Sequence, residues 1–560
     1  MLFLQFMKVA LQKNHRLLFF GLWLLLGLIQ SGLTEIQDDE AYYWVYSRYL
    51  DWGYFDHPPM IALLIKMGYA IFPNELGVRL FPLLLNVFSL FIIEKLIDKK
   101  NPLLFYTIAL SIAVLQLSGF VAVPDIPLIF FTALFFLCYR NFIAKTSWPN
   151  TFLLAICIAL LLYSKYHAAL IILFTLLSNI KLLKNYKVYV AGIVALLLFT
   201  PHLWWQYQHD WVSIRYHLFE SNVNPYRLAF TTDYILGQLL LAGPLAGIVL
   251  LPAAFLYKPK NRTEKALRYT MIGIYACFLV SSFRGQVEAN WTAPAIVPLI
   301  ILSHQYLNEK LKWQRILYKL LPVTLVLVLF ARICMLVDIL PFRVVKIHYH
   351  AWKEWPKEMK ERTKGLPIVF SNSYQRASKY WFYTGQMTLS QNWDRERRNN
   401  YNFWPIEDSI LGKPVYFLDI HRVSRFPDSL KTAIGWIGYR YDSSFISFFK
   451  VSFVASSKKY TIKEKQPLTM TCNLKLSDQY ESFIRSHQFS DTIKIDFFNK
   501  KGWVKEVITN LSLHNLVDHK LFDVTIDPEL PKGKYFFRFS IKNSFYNATH
   551  NSDKIGLVIE

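Results

Sequence analysis

The chain predicts an all-α polytopic membrane bundle of about eleven helices, followed by an extracytoplasmic α/β plus β-sandwich region. Two observations carry this. Hydrophobic residues make up 53% of the 560 residues and charged residues only 18%, which is too apolar for an ordinary soluble enzyme. The apolar residues are also clustered. Runs long enough to cross a bilayer, about 20 residues each, recur from Leu17 to Leu340 and stop at Pro341.

The predicted spans are 17–33, 77–96, 102–122, 127–143, 150–164, 167–183, 188–204, 232–256, 269–283, 291–307 and 320–337. The first is expected to be a retained anchor, because no small-x-small cleavage pattern follows at Gln30–Leu33. Basic residues crowd one alternating set of connections: Lys8, Lys13 and Arg16, then Lys95, Lys99 and Lys100, and onward to Lys258–Arg268 and Lys310–Lys319. The opposite set is sparse in them. The positive-inside rule then puts the N-terminus in the cytoplasm and, with an odd number of spans, the tail outside. The net charge of +23 is largely this topology signal, so no nucleic-acid partner is implied. Membrane lipids are the expected surroundings.

The tail divides into a small α/β domain at 342–444 and an Ig-like β-sandwich at 445–560, behind a membrane domain at 1–341. Ile368–Phe370 and Val415–Asp419 have the pattern of short buried strands, with a helix near Tyr374–Tyr383. Runs such as Lys494–Phe498 and Tyr535–Ile541, separated by turn signals like Pro531-Lys-Gly533, suit a sandwich. Of the five cysteines, four fall in or beside spans and Cys472 is alone in the tail, so no disulfide framework is expected there.

The unusual residues gather on the outer side. The first outer loop carries Asp38, Asp39 and Glu40, then Tyr42, Tyr43, Trp44, Tyr46 and Tyr49 on a helix expected along the membrane surface, then Asp56 and His57. Later outer turns hold Asp125, Lys165, His209, Asp210, Arg215, Glu288 and Asn290. Each has an ordinary reading. Asp125 suits a helix N-cap, Lys165 a snorkelling lysine, the aromatics an interfacial belt, and His209 a solvated loop. The ordinary readings weaken together, because all of these groups fall on one face. A carboxylate is a general base for a hydroxyl. Lys, Arg and His can hold a departing phosphate, and a wall of aromatic rings suits a sugar. Base, anion site and aromatic platform at a membrane surface suggest group transfer from a lipid-linked phosphate.

Asp39-Glu-Ala-Tyr-Tyr-Trp, Trp52-Gly-Tyr-Phe-Asp-His-Pro-Pro59 and Glu75-Leu-Gly-Val-Arg-Leu80 resemble the first outer loop of GT-C glycosyltransferases. The nearest group is the bacterial dolichyl-phosphate-mannose-protein mannosyltransferase-like family, which includes the aminoarabinose transferase acting on lipid A. Val123–Leu128, Tyr163–Tyr166, Gln208–Arg215 and Glu288–Pro294 extend the resemblance. It implies transfer of one sugar from a polyprenyl phosphate, with inversion, to an envelope glycolipid, polysaccharide or protein. It further implies that Asp39 is the general base, with Glu40 and Asp125 beside it in the catalytic group. Lys165, Arg215 and His57 would hold the donor phosphate. Tyr42, Tyr43, Asp56, His209, Glu288 and Asn290 would line the sugar and acceptor site. No cofactor is required, although a divalent metal is compatible. Tyr42 stands where aminoarabinose transferases carry an Arg, and His57 where they carry a Lys. Both departures weaken that donor and a lipid A acceptor for this chain, and leave the general reaction undisturbed. The rival class is a secondary transporter, whose charges gather near the midplane on broken helices of repeated halves. No internal repeat is visible here.

Overall fold

The computed structural model describes residues 2–220, 225–543 and 546–560. The chain separates into two compact units, residues 1–350 and 351–560.

The first unit is helical: α1 (Leu2–Leu33), α2 (Asp38–Arg48), α3 (Met60–Ile71), α4 (Glu75–Leu96), α5 (Pro102–Ser111), α6 (Ala113–Leu117), α7 (Asp125–Ala144), α8 (Trp148–Ser164), α9 (Ala168–Ser178), α10 (Tyr186–Gln208), α11 (Val212–Arg215), α12 (Leu228–Leu241), α13 (Gly247–Leu256), α14 (Arg262–Ser281), α15 (Ile296–Glu309), α16 (Leu311–Leu336) and α17 (Arg343–Tyr349). Among the described residues, five helices are long and apolar enough to span a membrane: α1 from Asn14, α4, α7, α10 and α16. Six more are apolar but shorter. Residues such as Ile93, Ile108, Phe136, Leu161, Leu250, Leu267 and Ile300 make one core across α4, α5, α7, α8, α13, α14 and α15. The outward faces stay apolar, with Leu22, Leu197, Leu240 and Val326 all exposed. A surface of that kind belongs against lipid, and the chain is an integral membrane protein.

Several expected spans are broken. The run 102–122 divides into α5 and α6 at Ile112, and 232–256 divides into α12 and α13. The second break lies at Gly243, which has φ +126°; a Cβ there would meet the Ser111 carbonyl at 2.4 Å. Hydropathy is blind to such breaks, because the residues around them remain apolar. Backbone freed inside a bilayer must find partners within the protein. Here Asn86 Nδ2 donates to the Leu115 carbonyl (3.1 Å), Gln116 Nε2 to Leu110 (2.6 Å) and Arg332 Nη2 to Gln116 (2.6 Å). The helix α3 falls in no expected span, being only 12 residues long. It packs tightly on α4, since a Cβ at Gly68 would strike the Gly77 carbonyl at 2.1 Å. The aromatic segment is the helix α2, and it is packed within the protein: Glu40 through Ser47 are buried.

One ion pair ties the bundle to its first loop. Arg79 and Glu40 are both fully buried. Arg79 Nε and Nη2 grip the Glu40 carboxylate at 2.8 and 2.6 Å, and its remaining donors reach the carbonyls of Ser31 (3.0 Å), Thr34 (2.7 Å) and Glu35 (2.8 Å). Glu40 also accepts from the backbone amides of Gln37 (2.9 Å) and Ala122 (2.8 Å). The end of α1, the start of α2, α4 and the turn before α7 therefore converge on one satisfied charge pair.

The second unit opens with a five-stranded sheet ordered β2-β1-β3-β5-β4, from β1 (Ile368–Ser371), β2 (Thr388–Gln391), β3 (Val415–Asp419), β4 (Asp428–Thr432) and β5 (Gly435–Asp442). β1 pairs in parallel with β2 and β3, and β5 antiparallel with β3. A six-stranded sheet and a three-stranded sheet follow and share one core, in which Phe453, Met470, Ile495, Phe497, Phe537 and Leu557 meet. Buried Glu407 hydrogen-bonds to the hydroxyls of Ser447 and Tyr480. Burial pushes its carboxyl up from the usual 4.5 to about 7.

Two outcomes are expected. Arg79→Met leaves a buried carboxylate without its counter-ion and costs about 3–5 kcal/mol, read as a lower unfolding temperature of the purified protein. Because the folded Glu407 carboxyl holds its proton to higher pH than the unfolded one, its stabilisation is full below about pH 4.5 and is lost as pH rises through about 7. Glu407→Gln removes that loss. Hydrogen-exchange protection of residues 406–410 in the intact chain should then favour the variant increasingly between about pH 5 and about pH 8, by up to about 3 kcal/mol.

Candidate active site

A cavity of about 580 Å³ opens in the first unit where the starts of α2 and α7, the end of α8 and the end of α14 meet. Asp39 lines it from the first turn of α2. It follows Asp38, whose Oδ2 lies 3.4 Å from His348 Nδ1. Glu40 is the next residue and is absent from the cavity wall, being held by Arg79. Successive helical residues point about 100° apart, so the clamp that takes Glu40 inward fixes the direction in which Asp39 faces.

The opposite wall is a hydrogen-bonded triad built on a buried ion pair. Lys165 Nζ donates to Asp125 Oδ1 at 2.7 Å, and Asn290 Nδ2 donates to Asp125 Oδ2 at 3.0 Å. Lys165 and Asp125 are 5% and 7% exposed, which leaves the ammonium few other partners and a defined place. Each member comes from an element end: Asp125 begins α7, Lys165 ends α8, and Asn290 lies in the 3₁₀ turn Ala289–Ala295 before α15. Such ends carry side chains to the rim of an apolar bundle without burying unpaired charge.

The other expected site residues separate into two groups. Tyr43, His57 and Glu288 join Asp39, Asp125, Lys165 and Asn290 on the cavity wall. Tyr42, Asp56, Arg215 and His209 do not. The Tyr42 and Tyr46 hydroxyls each lie 3.4 Å from Asp56 Oδ2 in a buried cluster behind the wall. The aromatic platform is thus mostly packing, with Tyr43 its contribution to the cavity. His209 stacks on Trp205 with ring centroids 4.0 Å apart. Arg215 donates to the Asp210 carbonyl at 3.3 Å.

Four groups assigned no role from sequence also line the cavity: Tyr166, His167, His217 and Arg284. His217 lies two residues beyond Arg215, and its Nε2 donates to the Asp56 carbonyl at 2.9 Å. In helical backbone two residues differ by about 200° in direction, so His217 turns inward where Arg215 does not. Tyr166 accepts from Gln206 Nε2 at 2.9 Å and lies 3.2 Å from His202 Nε2. Arg284 is exposed and has no ion-pair partner among the described residues. The available signal was position: His167 and Arg284 stand two and four residues from Lys165 and Glu288.

The site can hold an anion among Lys165, Arg284 and three histidines, with a carboxylate at Asp39 facing the same space. Among the described residues, no group of three or more His, Cys, Asp or Glu side chains is placed to hold a metal ion.

Residues 56–205 match the family model for dolichyl-phosphate-mannose-protein mannosyltransferase. Over 313 residues the chain is 25% identical to the lipid A galacturonosyltransferase RgtD of Rhizobium johnstonii, an alignment covering 53% of this chain and 65% of that protein. The chain thus matches somewhat under two thirds of that relative's length. In fold it is similar to ArnT from Cupriavidus metallidurans in the apo state, with TM-score 0.56 and 11% identity over 76% of this chain and 98% of that one. The same protein bound to undecaprenyl phosphate gives TM-score 0.55 and 13% identity over the same shares. Segment and fold together show a chain that has the fold of ArnT and carries a stretch similar to the dolichyl-phosphate-mannose-protein mannosyltransferases.

Proposed function

We propose that the protein is an inverting glycosyltransferase that moves one sugar from a polyprenyl phosphate to an extracytoplasmic glycolipid. The observation that carries this reading is the cavity in which Asp39 faces the Lys165–Asp125–Asn290 triad: a base and a fixed ammonium share one space. Asp39 takes the proton of the acceptor hydroxyl as that oxygen bonds to the anomeric carbon. The bond from that carbon to the phosphate oxygen breaks, and the polyprenyl phosphate leaves with the electron pair. Lys165, oriented by Asp125 and Asn290, and Arg284 stabilise the charge that gathers on the phosphate. One carboxylate suffices for direct displacement. The ArnT relative bound to undecaprenyl phosphate supports this class of donor.

A second cavity of about 460 Å³ suits the donor's chain. Leu50, Trp52, Met60, Leu63 and Leu160 line it, almost all apolar. It adjoins the site through Trp52, whose carbonyl accepts from His202 Nδ1 at 2.7 Å, while His202 Nε2 meets the cavity residue Tyr166. For the acceptor, the relative named as a lipid A galacturonosyltransferase favours lipid A. That name pairs lipid A with a sugar other than aminoarabinose, so a lipid A acceptor does not require the aminoarabinose donor. The basic connections place the N-terminus in the cytoplasm, and the cavity, with the tail, on the outer side.

The test supplies radiolabelled polyprenyl-phosphate sugars and lipid A to the protein in lipid. Asp39→Asn should lower transfer about 10²–10⁴-fold with donor binding retained, and Lys165→Gln about 10²–10³-fold with donor binding weakened. Transfer undiminished in Asp39→Asn removes it as the base. Met60→Trp should raise KM for long-chain donors and leave short-chain donors unchanged, which a chain-length series would show.

A further inference from the structure

The connection between α13 and α14 is basic, as the topology signal requires, yet its side chains are placed more specifically than topology demands. Lys260, Arg262, Lys265 and Arg268 line a concave site of about 590 Å³ together with Asn261 and Tyr269. Two of these cations are engaged. Lys260 pairs with Glu309, and Arg268 Nη1 donates to the Tyr257 carbonyl at 2.7 Å. Arg262 and Lys265 have no carboxylate partner among the described residues; Lys265 Nζ lies over the Tyr269 ring at 5.4 Å. A buried acid, Glu264, points the other way, bound by the Tyr257 hydroxyl (2.9 Å) and the Lys260 amide (2.7 Å).

The pattern along α14 indicates what these cations meet. Its exposed face runs Arg262, Lys265, Tyr269, Ile272, Ala276, Leu279, one stripe at alternating spacings of three and four. Two cations stand at one end, an aromatic ring follows, and apolar groups continue from there. A free anion uses only the first part of such a stripe. A lipid uses all of it, with the phosphate on the cations and the acyl chain along the apolar flank. At the far end of the same helix, Phe278 and Ser281 line the candidate active site. The 20 residues of α14 measure about 30 Å, a hydrocarbon thickness, and the two sites lie at its opposite ends.

We propose that Arg262 and Lys265 form a binding site for the phosphate head group of an anionic membrane lipid, whose acyl chain lies along Tyr269, Ile272 and Leu279. The lipid is a resident of the leaflet opposite the active site and takes no part in sugar transfer.

Native mass spectrometry of the full-length protein in detergent, titrated with phosphatidylglycerol, phosphatidylcholine or inorganic phosphate, tests this without reading sugar transfer. Wild type should retain one phosphatidylglycerol with at least a tenfold preference over phosphatidylcholine, and inorganic phosphate should show no saturable retention. Arg262→Gln with Lys265→Gln should abolish the preference, whereas Lys312→Gln with Arg315→Gln, in the neighbouring basic connection, should keep it. Ile272→Asp places a charge in the path of the chain and should weaken retention several-fold with both cations present, which keeps the proposal testable if the double variant fails to fold. An equal affinity for phosphatidylcholine, a preference that survives the double variant, or an equal loss in the Lys312 and Arg315 control overturns the site. Saturable phosphate binding as tight as that of the lipid overturns the lipid assignment.

Discussion

The bundle and its candidate site depend on the buried contact between Arg79 and Glu40. A guanidinium and a carboxylate taken wholly out of water are costly unless every donor and acceptor finds a partner. Here Arg79 uses its donors on Glu40 and on three carbonyls at the end of α1, while Glu40 takes two backbone amides besides. One of those amides, from Ala122, belongs to the turn that delivers Asp125 three residues later. The other begins the helix that presents Asp39. Asp39 and the triad therefore take their positions from one contact, although neither touches Arg79. This is how a site at the rim of an apolar bundle stays preorganised.

The sequence showed the bundle and the side on which the chemistry gathers, because a charge at the edge of an apolar run needs a reason to be there. It did not show where runs break. Ile112 and Gly243 interrupt stretches that stay apolar, and the polar groups that cover the freed carbonyls, Asn86 and Arg332, come from distant segments. The strands Ile368–Ser371 and Val415–Asp419 were legible from their β-branched and aromatic content, as was the helix between them. Their parallel pairing was not, since register needs the partner strand.

Within the site, Asp39, Asp125 and Lys165 were legible as residue types at span ends. Glu40 was grouped with Asp39 although Arg79 holds it away from the cavity, because adjacent acids look alike until the helical phase is known. The first-loop motif pointed to Tyr42 and Asp56 as ligand groups, yet they bond to each other in a cluster that packs the helix α2. His217 lines the cavity where Arg215 was expected, for the same reason of phase. Composition locates a loop, and only turn geometry decides which of its side chains faces inward.

The different facing of Asp39 and Glu40 constrains how such a loop can diverge. The two acids share one short helix whose rotation is locked at Glu40, so the direction in which Asp39 faces is set by counting residues. Substitutions at Tyr43, His57 or Arg284 can retune the cavity while the count is kept. A single inserted or deleted residue between the end of α1 and Glu40 would turn Asp39 by about 100° or break the clamp. Across related chains, new specificity at this rim should arise through exchange of side chains at constant length, with length variation confined to connections that the clamp does not hold.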